Sequence, residues 1–171
     1  MTTYIESRLI GIVRHGEAVP NAPTDAERPL TERGHRQARA TARAWTDWLH
    51  QQGVSAHQVH VVHSPYLRAR ETADAFIHQM ALTDRTELDY ITPDDDPMVA
   101  LRRLSSLLEQ YPEKHLVVVS HMPLVASLSV LLEIGSYHGA RGFQTAEMRV
   151  FQVSHCEPGC GTPITVLAAD A

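Results

Sequence analysis

The stretch "LIGIVRHGEA", residues 9–18, begins as an apolar run and turns abruptly polar at Arg14. A later stretch, "HLVVVSHMP" (115–123), follows the same plan and ends on His121. Short aliphatic runs of this kind suit buried strands. Between them the pattern changes period. "VPNAPTDAERP" (19–29) is rich in Pro, Asn and Asp and reads as a loop. Thr31 then caps a helix in which Ala38, Ala42, Trp45 and Leu49 share one face, with Trp48 at its margin and Gly53 as the stop.

The alternation continues along the chain. "QVHVVHS" (58–64) reads as a strand and "SPYLRARETADAFIHQM" (64–80) as a helix, with Ser64 as cap and Pro65 in its first turn. "ELDYITPDDDP" (87–97) is a short strand running into a polar loop, and 97–110 is a helix with Met98, Leu101, Leu104 and Leu108 on its apolar side. A helix from Pro123 to about Leu132 follows the second polar histidine, and 146–153 and 162–169 read as a late pair of strands, a hairpin. Strands alternating with helices imply an α/β fold, a three-layer α/β/α sandwich around a mostly parallel sheet. All 171 residues are expected to form a single domain.

Composition narrows the function classes. The chain is 43 % hydrophobic and 20 % charged, with a formal net charge of −5. Nucleic acid and an anionic membrane are therefore not expected partners. "MTTYIESR" (1–8) lacks the pattern of a signal peptide, the apolar runs are too short to span a bilayer, and two cysteines suit a reducing compartment. The expected location is the cytoplasm.

In a mostly parallel sheet, ligands bind beyond the carboxyl ends of the strands. There the sequence places Arg14, His15, Arg68 and His121 at one edge. Two guanidiniums can grip a phosphate through charge-assisted hydrogen bonds, and a neutral imidazole can attack phosphorus in line. Helix N-termini near Ser64 and His121 would add backbone N–H groups, and Gly16 would let the chain approach a bound group closely. The chemistry this set serves is phosphoryl transfer through a phosphohistidine on the protein, with arginines in place of a metal; no cofactor is expected.

"RHGEA", "SPYLRARET" and "VVVSHMP", in that order, resemble the signatures of the histidine phosphatase superfamily, whose fold is phosphoglycerate mutase-like. "DAERPLTERG" (25–34), soon after "RHGEA", is similar to the SixA-type phosphohistidine phosphatase branch. The resemblance runs from about residue 8 to 153. It implies His15 as nucleophile and Arg14, Arg68 and His121 as the rest of the phosphate pocket. It also implies a histidine-phosphorylated protein as substrate, a phosphocarrier or a phosphotransfer domain.

One feature departs from the larger superfamily, which places a glutamate acid shortly after the third strand. Here Glu87 sits early, where the strand should be, and Asp94, Asp95 and Asp96 are the acids that could reach the pocket from the loop beyond it. A leaving imidazole carries a proton on its far nitrogen and needs less help than an alkoxide. The missing acid thus points towards phosphohistidine. Two rivals use the same residues: a phosphatase for small esters with an acid from 94–96, and a phosphate- or phosphohistidine-binding module without turnover.

Other residues keep two readings. Asp25 and Arg28 either hold the loop as an ion pair or line the site, Glu17 is open, and Thr145 with Ala146 stands where a rim contact would fall. Eleven histidines invite a metal reading, but alternation sends His60 and His63 to opposite faces, so no metal site is expected there. For Cys156 and Cys160 the expectation is a solvent-side turn with two free thiols, set against a zinc site or a labile disulfide.

Overall fold

The computed structural model describes residues 7–168. The first six residues of the N-terminal stretch read above, and the end of the last expected strand at 169, lie outside them. The elements in chain order are β1 (Arg8–Arg14), α1 (Glu32–Gln51), β2 (Val59–His63), α2 (Leu67–Met80), β3 (Thr86–Glu87), α3 (Pro97–Gln110), β4 (His115–Ser120), α4 (Leu124–Ile134), β5 (Met148–Val153) and β6 (Gly161–Leu167). They build one six-stranded sheet in the order β3-β2-β4-β1-β5-β6. β3, β2, β4 and β1 run parallel, and β5 and β6 form the expected hairpin, antiparallel to β1. Among the described residues no helix is long and apolar enough to cross a membrane.

The central strands are buried on both faces, which is why they read as unbroken apolar runs. Leu116 and Val118 of β4 join Ile10 and Ile12 of β1 beneath α3 and α4. Val117 and Val119 join Val13, Val59 and Val61 beneath α1 and α2, where Trp45 and Phe76 are fully buried. The two faces give the three layers. The Thr31 hydroxyl accepts from Gly34 N and caps α1, as its sequence suggests.

Two expectations change. α2 begins at Leu67 rather than at Ser64. Ser64 N instead extends the sheet to Val119 O at 3.0 Å, and its hydroxyl accepts from Tyr66 N at 3.2 Å, a local turn that delays the helix. Cys156 is not in a solvent-side turn. It is 3 % exposed within the α3–α4 core, burial pushes its thiol up to about 12, and it is inert at neutral pH; Cys160 is half-buried, and both are free.

Gly16 has a packing role that the sequence reading, which gave it close approach to a ligand, did not include. A Cβ on Gly16 would stand 2.6 Å from the Gly34 carbonyl oxygen, and a Cβ on Gly34 would collide with the Glu17 carbonyl. The strand end and the first turn of α1 meet backbone to backbone. Gly34→Ala is therefore expected to cost about 1–3 kcal/mol, read as a Tm loss of about 2–4 °C for each kcal/mol and checked by thermal unfolding. An unchanged Tm would mean the two backbones do not need this contact.

Candidate active site

The parallel strands β1, β2 and β4 end at the same edge, and the chain leaving each supplies one part of the site. β1 delivers Arg14 and His15, the turn after β2 delivers Ser64 and Tyr66 ahead of Arg68 on α2, and β4 delivers His121. His15 N donates to Ser120 O at 3.0 Å, so the two motif strands are stitched together where they end.

His15 is 8 % exposed, and its two nitrogens face unlike partners. Nδ1 lies 2.7 Å from Gly16 O, which can only accept. Nε2 lies 3.3 Å from Arg68 Nε, which can only donate. The tautomer follows: Nδ1 holds the proton and Nε2 presents a lone pair. Burial, chiefly, pushes the imidazole down to about 4; the Gly16 bond opposes this, while Arg68, Arg14 and Arg28 add to it. The ring is neutral and nucleophilic at neutral pH.

His121 packs beside it, ring centroids 5.2 Å apart. Its Nε2 meets Ser64 Oγ at 2.7 Å. Ser64 Oγ accepts from Tyr66 N and has its own proton to give to His121 Nε2; in that arrangement the imidazole proton sits on Nδ1. That Nδ1 is buried and has no partner among the described residues. Burial pushes His121 down to about 2, with smaller contributions from His15 and Arg68, so it is a neutral donor rather than a cation.

The guanidiniums are held from behind. Arg14 Nη1 donates to Phe143 O at 2.7 Å, while its Nε is buried and unpartnered among the described residues. Arg68 is 4 % exposed and donates through Nη1 to Asp25 O at 2.6 Å and through Nη2 to Asp25 Oδ2 at 3.1 Å. Three of its five N–H groups are thus used and two remain. Two orphaned buried donors beside a lone pair lack the acceptors that a tetrahedral oxyanion would supply.

The spacing in "RARET" now has a cause. Arg68, Glu71 and Thr72 lie on one face of α2. Thr72 Oγ1 accepts from Gly16 N at 3.1 Å, Glu71 Oε1 accepts from Leu30 N at 2.8 Å, and Arg68 meets His15. Arg70 points to solvent.

The remaining candidates divide. Asp25 and Arg28 come to the site as a pair, Arg28 Nη1 donating to Asp25 Oδ1 at 2.9 Å and its Nε to Val19 O at 2.7 Å. Glu17 does not turn to the phosphate donors; its carboxylate takes the Thr31 hydroxyl at 2.8 Å and lies 3.6 Å from Arg33. Asp94 is exposed, and no hydrogen bond or ion pair joins it to the four central residues among those described. Asp95 accepts from Thr92, and Asp96 caps α3 by accepting from Met98 N. Asp95 and Asp96 thus serve their own loop and the start of α3. Thr145 is half-buried beside Ala146, whose N–H donates to His15 O at 3.0 Å. Ala146 sits at φ 60° and its carbonyl takes the Thr41 hydroxyl at 2.7 Å. Tyr66 and Thr72 are supports that strand-end reasoning did not assign, and Ser64 was read only as a helix cap.

A model of the histidine phosphatase superfamily (branch 1) matches residues 10–90. Phosphohistidine phosphatase SixA of Escherichia coli (strain K12) is 35 % identical over 118 residues, which cover 68 % of this chain and 69 % of the relative. The chain belongs to the histidine phosphatase superfamily, and as an enzyme it is a phosphatase. Within that superfamily it falls in the SixA branch: a solved structure of the protein histidine phosphatase SixA complexed with tungstate superposes with a TM-score of 0.77 at 29 % identity, over 94 % of this chain and 97 % of the other. A mycobacterial glucosyl-3-phosphoglycerate phosphatase shares the fold, at a TM-score of 0.68 and 17 % identity over 96 % and 100 % of the two chains.

The lowered ionisation of His15 has a sign that can be checked. A histidine pushed down to about 4 stays neutral as pH falls through the ordinary value of 6.5. Its ring nitrogens, followed by long-range proton–nitrogen NMR in the free protein, are expected to hold the Nδ1–H pattern from neutral pH down to about pH 5. A titration centred near the ordinary value would contradict the desolvated, arginine-flanked site.

Proposed function

We propose that this enzyme removes phosphate from phosphohistidine on a protein, through a covalent phosphohistidine of its own at His15. The observation that carries the reading is the His15 Nε2 lone pair, fixed by its two partners and set among Arg14, Arg68 and the free Nδ1–H of His121. Nε2 attacks phosphorus. The phosphoryl oxygens take hydrogen bonds from both guanidiniums and from His121, which stabilise the charge spread over them in the transition state. The substrate imidazole leaves, and water then hydrolyses the phosphoenzyme. The positive charge comes from Arg14 and Arg68, so no metal takes part.

Two further observations support an N–P substrate over an ester. Asp95 and Asp96 are engaged at their own loop and the start of α3, and Asp25, the carboxylate beside the pocket, is held below the usual range by its Arg28 hydrogen bond and then by Arg68. Asp25 is thereby kept ionised and offers no proton at neutral pH, and an alkoxide needs one. The similarity to SixA, a protein histidine phosphatase by name, favours a phosphorylated carrier or phosphotransfer domain as the partner. We place the enzyme in the cytoplasm, as a single domain over residues 1–171.

Phosphate release from a phosphohistidine peptide and from an alkyl phosphate monoester, side by side and with EDTA present, tests the assignment. Fast release from the phosphohistidine alone is expected, falling to the uncatalysed rate in His15→Ala with the fold intact by circular dichroism. Preferential release from the alkyl ester, or activity that survives His15→Ala, would overturn it.

A further inference from the structure

Asp25 has no place in the scheme above, yet it stands one guanidinium away from the nucleophile. Its carbonyl and its Oδ2 take both terminal nitrogens of Arg68, whose Nε meets His15 Nε2. Its Oδ1 takes Arg28, and Arg28 is tied in turn to Val19 O. The carboxylate is therefore fixed in position, but its side chain is 57 % exposed, so it stands at the mouth rather than within the wall. Each carboxylate oxygen has a lone pair beyond the one it uses here.

The charged and titratable groups around it come from four segments. They are Arg28 and Glu27 of its own turn, Arg68 of α2, Arg14 and His15 at the end of β1, and His121 after β4. Glu27 turns to the Thr24 hydroxyl, and Glu71 of α2 turns to Leu30. A fixed negative charge beside an anion site opposes any phosphate that brings only negative charge. It favours a phosphoryl group that arrives on a cation.

We propose that Asp25 is the substrate-ring acceptor: its carboxylate takes the N–H of the phosphorylated imidazole, on the ring nitrogen that does not carry phosphorus, and so selects phosphohistidine over phosphate esters. The inference rests on the function proposed above. In-line attack places the leaving nitrogen opposite His15 Nε2, on the solvent side where Asp25 lies. The step balances without an added acid. The Nε2 lone pair forms the new N–P bond; the old N–P bond breaks and its electron pair stays on the leaving nitrogen. The far nitrogen keeps its proton against Asp25, so the departing ring is neutral. Positive charge passes to the His15 ring, which retains its Nδ1 proton on Gly16 O. Asp25 holds the substrate ring protonated at pH values where the free ring would have lost that proton.

Asp25→Asn removes the charge while its amide oxygen can still accept from an arginine. Single-turnover rates with enzyme in excess, followed across pH, separate the outcomes. With a phosphohistidine peptide, the alkaline limb of the wild type is expected to lie above that of Asp25→Asn by about one pH unit or more. The variant is then about tenfold slower or worse at alkaline pH. With p-nitrophenyl phosphate, whose leaving group has no N–H, the variant's loss is expected to be several-fold smaller and independent of pH. Coincident alkaline limbs on phosphohistidine would overturn the inference, as would an equal loss on both substrates, which would mark Asp25 as a mere support for Arg68. A wild type inactive on phosphohistidine would instead remove the function on which the inference rests.

Discussion

The 2.7 Å hydrogen bond between His15 Nδ1 and the carbonyl of the next residue, Gly16, sets which nitrogen of His15 is free to react, and the surrounding structure holds that peptide in place. Gly16 N is bound by Thr72 on α2, its Cα is pressed against Gly34 of α1, and the His15 backbone is bound by Ser120 at the end of β4 and by Ala146 before β5. Four segments from distant parts of the chain thus converge on two peptides. Positioning of this kind matters because phosphoryl transfer leaves the protein little to do besides orient groups and stabilise charge.

Burial gives that arrangement its chemical value. His15 and His121 are both kept neutral by loss of solvent, so each offers what the other lacks, a lone pair on one ring and an N–H on the other. The two arginines supply the cationic charge and cannot lose it at any ordinary pH. Separation of environments explains how one edge of the sheet holds a ring lone pair, a neutral donor and two cations without mutual neutralisation. Asp25 is the counterweight, drawing one arginine towards the mouth while staying anionic itself.

The framework and the central residues were legible because they depend on period and order. Buried strands show as β-branched runs, the helices as apolar stripes, and Arg14, His15 and His121 as polar residues where such runs stop. Arg68 could be chosen over Arg70 from its motif, and the shared face of Arg68, Glu71 and Thr72 was there to be read in their spacing. What the sequence hid depends on contacts between distant segments. Nothing local marks Gly16 and Gly34 as a matched pair, or Ala146 as a residue at positive φ. Ser64 looked like a helix cap because serine before proline usually is one; here its hydroxyl is engaged by His121. Cys156 looked solvent-side in a polar turn and is core because α3 and α4 close over it.

The claim on which the account turns is that phosphorus passes through His15. Rapid quenching into base during turnover of a phosphohistidine substrate, followed by mass spectrometry of the digested enzyme, tests it directly. The account predicts a transient phosphoryl group on the peptide carrying His15, stable in base, lost in acid and absent from His15→Ala. Steady turnover with no phosphoryl group on His15 at any quench time, or with one on another residue, would contradict it.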